Sequence, residues 1–237
     1  MKMIFEDIGY SGFVFRGARS FFCCYFTEKG RMDMFYAFFK ILCRFVFGKI
    51  FGTTVIGAEN IPAGGAFILS ANHVSNWDPP FLGTFIDRIV NFMGKEELFK
   101  NPVMAAICRG LNVFPVKRGA ADKTAMKTAV KVLKAEKCLG IFPEGTRSKT
   151  GKLGKPELGV SVIAAMTKAP VIPAAIVGTE KIFSAQKKFP RLCVVYGEPL
   201  RFTGNAKDKE NLSDFAQKIM SEIAKLKALG EQEIISH

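Results

Sequence analysis

Seven short apolar runs, rich in β-branched and aromatic residues, recur near residues 53–57, 66–70, 89–93, 112–116, 139–143, 171–177 and 192–197. Between several of them lie stretches with helical periodicity. Strands that alternate with helices bury both kinds of element in one way, as a sheet covered by helices, so the pattern predicts an α/β fold. The expected sheet is mixed and mostly parallel. The clearest helix spans Lys123–Lys134, where Met126, Ala129, Val130 and Leu133 fall at i, i+3, i+4 and i+7. Lys123, Lys127, Lys131 and Lys134 mark another face, read as solvated rather than as a binding stripe. A second helix is expected over 157–167. Leu212, Phe215, Ile219, Ile223 and Leu226 give a third, which closes the chain.

The first 51 residues depart from this pattern. They hold 12 of the 23 phenylalanines, with eight Lys/Arg against four Asp/Glu. Residues 34–51 read MFYAFFKILCRFVFGKIF, apolar but interrupted by Lys40, Arg44 and Lys49. That run falls short of the ~18–20 uncharged residues a spanning helix needs. It suits an amphipathic helix lying among lipid headgroups, with a core helix as the alternative. Residues 1–31 match neither a signal nor a transit peptide, and a start at Met32 or Met34 is expected to leave an active protein. The expected division is a membrane-associated segment, 1–51, and an α/β domain, 52–237.

The formal net charge of +13 favours anionic partners. No RNA-recognition or helix-turn-helix signature accompanies it, so nucleic acid is not the expected partner. The six cysteines include no Cys-x-x-Cys pair and read as reduced thiols of a cytoplasmic protein. With two histidines, His73 and His237, and scattered cysteines, no zinc site is expected.

The sharpest motif is Asn72-His73-Val74-Ser75-Asn76-Trp77-Asp78-Pro79-Pro80, which leaves the apolar run at 66–70. Ligands of open α/β sheets bind at such strand ends. Five residues along a helix would turn His73 and Asp78 about 140° apart. The Asn, Ser and Pro residues favour a turn instead, and a turn can bring the carboxylate onto the imidazole. There it would fix the tautomer and stabilise an imidazolium. A capped loop around a buried histidine is the alternative.

A Ser-His-Asp hydrolase fits poorly. Gly159-Val160-Ser161-Val162-Ile163 lacks the second glycine of a nucleophile elbow. His73 would then act on a substrate hydroxyl. Lys117-Arg118 offers a point charge and a planar fork for phosphate, or is an exposed basic turn. Phe142-Pro143-Glu144-Gly145-Thr146-Arg147-Ser148 combines a carboxylate and a guanidinium expected to orient each other, a glycine and two hydroxyls. It fits an anionic headgroup, with a charged turn as the alternative. Val171-Ile172-Pro173 carries no polar chemistry, and its proline suggests an edge strand or a bulge.

Taken in this order over residues 54–200, these four blocks resemble the glycerophospholipid acyltransferase family. The chain differs from the commoner pattern in its leader before Met32 and in Pro156. The resemblance implies that His73 deprotonates a glycerol hydroxyl, that Asp78 holds His73, and that the oxygen attacks an acyl thioester without an acyl-enzyme. It assigns Lys117, Arg118, Glu144, Gly145, Thr146 and Arg147 to the phosphoglycerol acceptor. The implied partners are lysophosphatidic acid, an acyl-CoA or acyl-carrier protein donor, and an anionic membrane surface at the cytoplasmic face; no cofactor is implied. Glycerol 3-phosphate, other lysophospholipids and aminoacyl lipids are alternative acceptors. A non-catalytic anion-binding module and a lysophospholipid hydrolase are readings of other classes.

Overall fold

The computed structural model describes residues 28–117, 122–183 and 189–236, with side chains from residue 34 onward. The leader and the restart at Met32 fall largely outside the described residues. All seven apolar runs are strands: β1 (Thr54–Ile56), β2 (Phe67–Ala71), β3 (Val90–Lys95), β4 (Val113–Val116), β5 (Cys138–Ile141), β6 (Val171–Val177) and β7 (Cys193–Tyr196). They form one sheet in the order β1-β7-β6-β2-β5-β3-β4. Pairing is parallel throughout except between β6 and β7.

Period-2 alternation along the central strands separates two cores. On one face Phe67, Leu69 and Ala71 of β2 meet Ile172, Ala174 and Ile176 of β6. Helix α1 (Glu28–Phe45), the π-helical turn Val46–Ile50 and helix α2 (Asp78–Thr84) cover this face. On the other face Ile68, Leu139 and Val171 meet α4 (Lys123–Lys134), α5 (Gly159–Thr167) and α6 (Lys209–Ser236). Strands buried on both faces read as unbroken apolar runs, the mark of a parallel sheet. Leu212, Phe215, Ile219 and Ile223 of α6 are all buried, and Leu226 packs beside them against the β6–β7 core. The four lysines of α4 are exposed. A further helix, α3 (Pro102–Gly110), joins β3 to β4 and was not expected from periodicity. Its cap is legible locally: Asn101 accepts from Val103 N and Met104 N, and Pro102 opens the first turn.

Of the two readings of Pro173 the bulge holds and the edge does not, because β6 lies between β7 and β2. The Pro173 carbonyl accepts from Gly197 N at 2.8 Å, where pairing slips one residue between Val171↔Leu200 and Ala174↔Tyr196. The missing N–H falls at that bulge. Lys40 and Arg44, two of the charges that interrupt the apolar run, point apart. Lys40 turns inward and its ammonium donates to the Ile86 carbonyl; desolvation lowers its pKa, partly countered by the Asp87 charge. Arg44 remains exposed.

Helix α1 has two apolar faces. Cys43 and, beyond the helix, Phe47 and Phe51 enter the core, while Met34, Phe38, Ile41, Leu42 and Phe45 stay exposed, Phe38 by 66%. Among the described residues no helix is long and apolar enough to cross a membrane.

Candidate active site

The C-terminal ends of β6, β2 and β5 are adjacent, and three loops leave the sheet there. Asn72 starts the β2 loop by extending the sheet with its side chain. Its Nδ2 donates to Ile176 O (2.9 Å) and its Oδ1 accepts from Ile176 N (2.8 Å). The chain then turns, and Asp78 becomes the first residue of α2, followed by Pro79 and Pro80 in the first turn, where missing N–H groups cost little. Phe47, on the π-helical turn, braces this start edge-on against Phe81 (ring centroids 5.2 Å) and Trp77 (6.4 Å).

The turn closes as the spacing predicts. His73 Nδ1 and Asp78 Oδ2 are 2.7 Å apart, with His73 6% and Asp78 0% exposed. Oδ2 also accepts from Val74 N (2.6 Å) and Ser75 N (2.7 Å), and Oδ1 accepts from Thr179 Oγ1 (2.5 Å). Four donors thus surround one carboxylate. They fix His73 as the Nδ1–H tautomer, because Asp78 offers acceptors only. Nε2 has no hydrogen-bond partner among the described residues, so its lone pair is available for a substrate proton.

The imidazole lies flat on Phe142, at 4.1 Å between centroids and 16° between planes. Phe142 stacks on Phe92 in turn, at 6.0 Å and 12°. Gly140 permits this stack, since a Cβ there would stand 2.3 Å from the Phe92 ring. Beyond Phe92 lies an apolar cavity of about 130 Å³ between α1, α2, β3 and β4, lined by Phe39, Pro79, Pro80, Val90, Phe92 and Leu111 among others.

The β5 loop is tied to the histidine through Glu144, which is buried. Glu144 Oε1 accepts from His73 N (3.1 Å) and Oε2 from Gly154 N (2.7 Å). Ser148 N donates to the His73 carbonyl (2.8 Å), so two bonds from this loop clamp the His73 backbone. Glu144 therefore does not orient Arg147 as expected. Its oxygens serve backbone N–H groups, and Arg147 makes no ion pair among the described residues. Gly145, Thr146 and Arg147 are exposed on the same loop. Lys117, at the end of β4, is exposed, with Nζ 3.9 Å from Glu96 Oε1. The sheet puts β4 three strands from β2, roughly 14 Å away at the usual spacing, so Lys117 stands at the rim. Arg118 lies outside the described residues.

Sequence reasoning missed Phe142 as the platform under the imidazole and Thr179 as the fourth donor to Asp78. Thr179 carries one faint signal, a small hydroxyl directly beyond the apolar run at 171–177.

Burial disfavours the thiolate at every described cysteine. Burial pushes Cys43 and Cys193 up to about 11 and Cys138 further. Ser161 sits inside α5, fully buried and without a hydrogen-bond partner, so it heads no nucleophile elbow. What remains is a His-Asp pair able to move a proton to and from a bound substrate.

Comparison with known proteins agrees with that chemistry. Residues 52–177 match the family model described as Acyltransferase. The chain is 33% identical over 179 residues to the 1-acyl-sn-glycerol-3-phosphate acyltransferase of Bacillus subtilis (strain 168), covering 74% of this chain and 88% of that protein. The chain belongs to the acyltransferase family. A similarly named acyltransferase of Saccharomyces cerevisiae is 29% identical over 191 residues, covering 77% of this chain and 62% of that protein. Among solved structures, the crystal structure of the 1-acyl-sn-glycerophosphate (LPA) acyltransferase PlsC from Thermotoga maritima shares the fold, with a TM-score of 0.66 and 27% identity. It covers 90% of this chain and 89% of that one. The four acyltransferase blocks all lie within or beside the matched residues, and so does Thr179.

Proposed function

We propose that this acyltransferase is a 1-acylglycerol-3-phosphate O-acyltransferase, which moves a fatty acyl group from a thioester to the sn-2 hydroxyl of lysophosphatidic acid and forms phosphatidic acid. The observation that carries the mechanism is the buried His73–Asp78 pair, with Nε2 unpartnered among the described residues. Nε2 takes the proton of the acceptor hydroxyl as its oxygen attacks the thioester carbonyl. Asp78 stabilises the imidazolium. The tetrahedral intermediate collapses, the C–S bond breaks, and the proton passes from Nε2 to the departing sulfur. The His73 imidazole bonds no serine hydroxyl or cysteine thiol among the described residues, which favours direct transfer over an acyl-enzyme. Arg147, exposed and without an ion-pair partner among the described residues, stands on the loop that clamps His73 and supplies the cation for the acceptor phosphate, with Thr146 beside it and Lys117 toward the rim; Arg118 is assigned with them by the sequence alone. Glu144 contributes by holding the loop. The donor is acyl-CoA or acyl-carrier protein, both anionic and suited to a +13 protein.

The exposed face of α1 supports docking at the cytoplasmic face of an anionic membrane. Phe38, Ile41, Leu42 and Phe45 are uncovered there, with Arg44 and Lys49 beside them. The cavity behind Phe92 adjoins α1 and suits an acyl chain entering from the lipid side.

The test offers labelled acyl-CoA or acyl-carrier protein with lysophosphatidic acid or glycerol 3-phosphate in mixed micelles, with His73→Ala as control. Labelled phosphatidic acid from the unmutated protein alone is expected. Transfer only to glycerol 3-phosphate would replace the acceptor, and release of free fatty acid without transfer would replace the reaction.

A further inference from the structure

Asp78 holds His73 through one oxygen only. Oδ2 takes the bonds from His73, Val74 and Ser75, which all come from the same short loop. Oδ1 points the other way, into the protein. The described group that meets it is the Thr179 hydroxyl, 2.5 Å away and 101 residues later in the chain. Both residues are sealed from water, Asp78 at 0% and Thr179 at 1% exposure. An ionised carboxylate only accepts, so the threonine must donate.

The backbone behind Thr179 is set for this. It begins a short 3₁₀ turn, Thr179–Lys181, directly after β6. Gly178 enters that turn at φ +93°, where a Cβ would stand 2.5 Å from the Arg191 carbonyl oxygen. β6 pairs with β2, the strand that leads into the His73 loop. The hydroxyl thus approaches from a neighbouring strand, independent of the loop that holds Oδ2.

The terminal torsion of an aspartate is soft and roughly two-fold. Donors on Oδ2 alone leave the plane of the carboxylate free to swing about that oxygen, and a donor fixed on Oδ1 stops the swing. We propose that Thr179 is a positioning residue for acyl transfer: its hydroxyl locks the Asp78 carboxylate so that Oδ2 stays in line with His73 Nδ1–H as the imidazolium forms. The proposal rests on His73 acting as the base.

The decisive variant is Thr179→Val, which keeps the volume and removes the donor, with Thr179→Ser restoring it. Kinetics are measured by labelled acyl transfer beside the unmutated protein and His73→Ala. A hydrogen bond to a charged group predicts a fall in kcat of about ten- to 150-fold for the valine variant. The KM for the acceptor should stay within twofold, and the serine variant within threefold of the unmutated protein. A kcat within threefold for Thr179→Val, or equal losses for serine and valine, would overturn the proposal. A second readout does not depend on the acceptor. The chain has only two histidines, so the ring N–H spectrum is simple, and His73→Ala assigns the buried one. Its Nδ1 proton should shift upfield and broaden in Thr179→Val; an unchanged resonance refutes the lock even if lysophosphatidic acid proves the wrong acceptor. Should the valine variant not fold, Thr179→Cys, with a weaker donor, is held to the same kcat, KM and resonance criteria.

Discussion

Asp78→Asn separates the charge of the carboxylate from its geometry. An amide has one oxygen and one NH₂. If the NH₂ took the place of Oδ2, it would face three donors, His73 Nδ1–H and the Val74 and Ser75 N–H groups. The amide must therefore put its oxygen there and its NH₂ on the Thr179 side, where the hydroxyl can rotate to accept. In that orientation His73 keeps its tautomer and loses only the negative charge. The imidazolium and carboxylate charges are delocalised, so a mean separation of about 4 Å and an effective dielectric constant near 20 give about 4 kcal/mol. That is about three powers of ten in rate. We expect kcat to fall about a thousandfold, measured at saturating acceptor with labelled acyl thioester, while circular dichroism stays unchanged. His73→Ala should fall further, to background. A kcat within tenfold of the unmutated protein would show that the charge does not stabilise the imidazolium. A loss as deep as that of His73→Ala would show that the amide had flipped and the tautomer was lost.

Other perturbations read other parts of the site. Glu144→Gln sets an NH₂ against either His73 N–H or Gly154 N–H. The orphaned donor costs about 1–3 kcal/mol, which should appear as a fall in melting temperature of about 2–10 °C by calorimetry. Arg147→Ala should raise the acceptor KM with kcat little changed. Because Arg147 and Glu144 are not paired, the double variant should be additive within about 0.5 kcal/mol, and strong coupling would restore the pair expected from sequence. Gly140→Ala places a methyl group 2.3 Å from the Phe92 ring, and the displaced Phe92–Phe142–His73 stack should lower both melting temperature and kcat. Phe38→Asp with Ile41→Asp should abolish sedimentation with anionic vesicles and leave the folded spectrum intact; retained binding would remove α1 from the membrane surface.

Much of this molecule is written locally. Strands buried on both faces, as β2, β5, β6 and β7 are, have no alternative to apolar runs and are visible as such. The α4 and α6 stripes are visible because one helical face meets the sheet. The His73–Asp78 pair is legible because the whole turn is local: prolines, small polar residues and a five-residue spacing leave the carboxylate few other places to go. Helix α3 escaped because its residues 103–108 are apolar without a break and show no helical period, although only Ala105 and Cys108 of them are buried.

The elements and the His73–Asp78 contact are therefore legible along the chain, because both are set by forces acting within a few residues. How they meet depends on the packing of the whole sheet. Strand order brought the ends of β6, β2 and β5 together and left β4 at the far edge. It turned Lys40 inward to a carbonyl on a neighbouring segment and gave Glu144 to two backbone donors rather than to Arg147. It also delivered Thr179 to Asp78 across 101 residues. A hydrogen bond between strands depends on which strands are neighbours, and no pattern of residues within one strand carries that information.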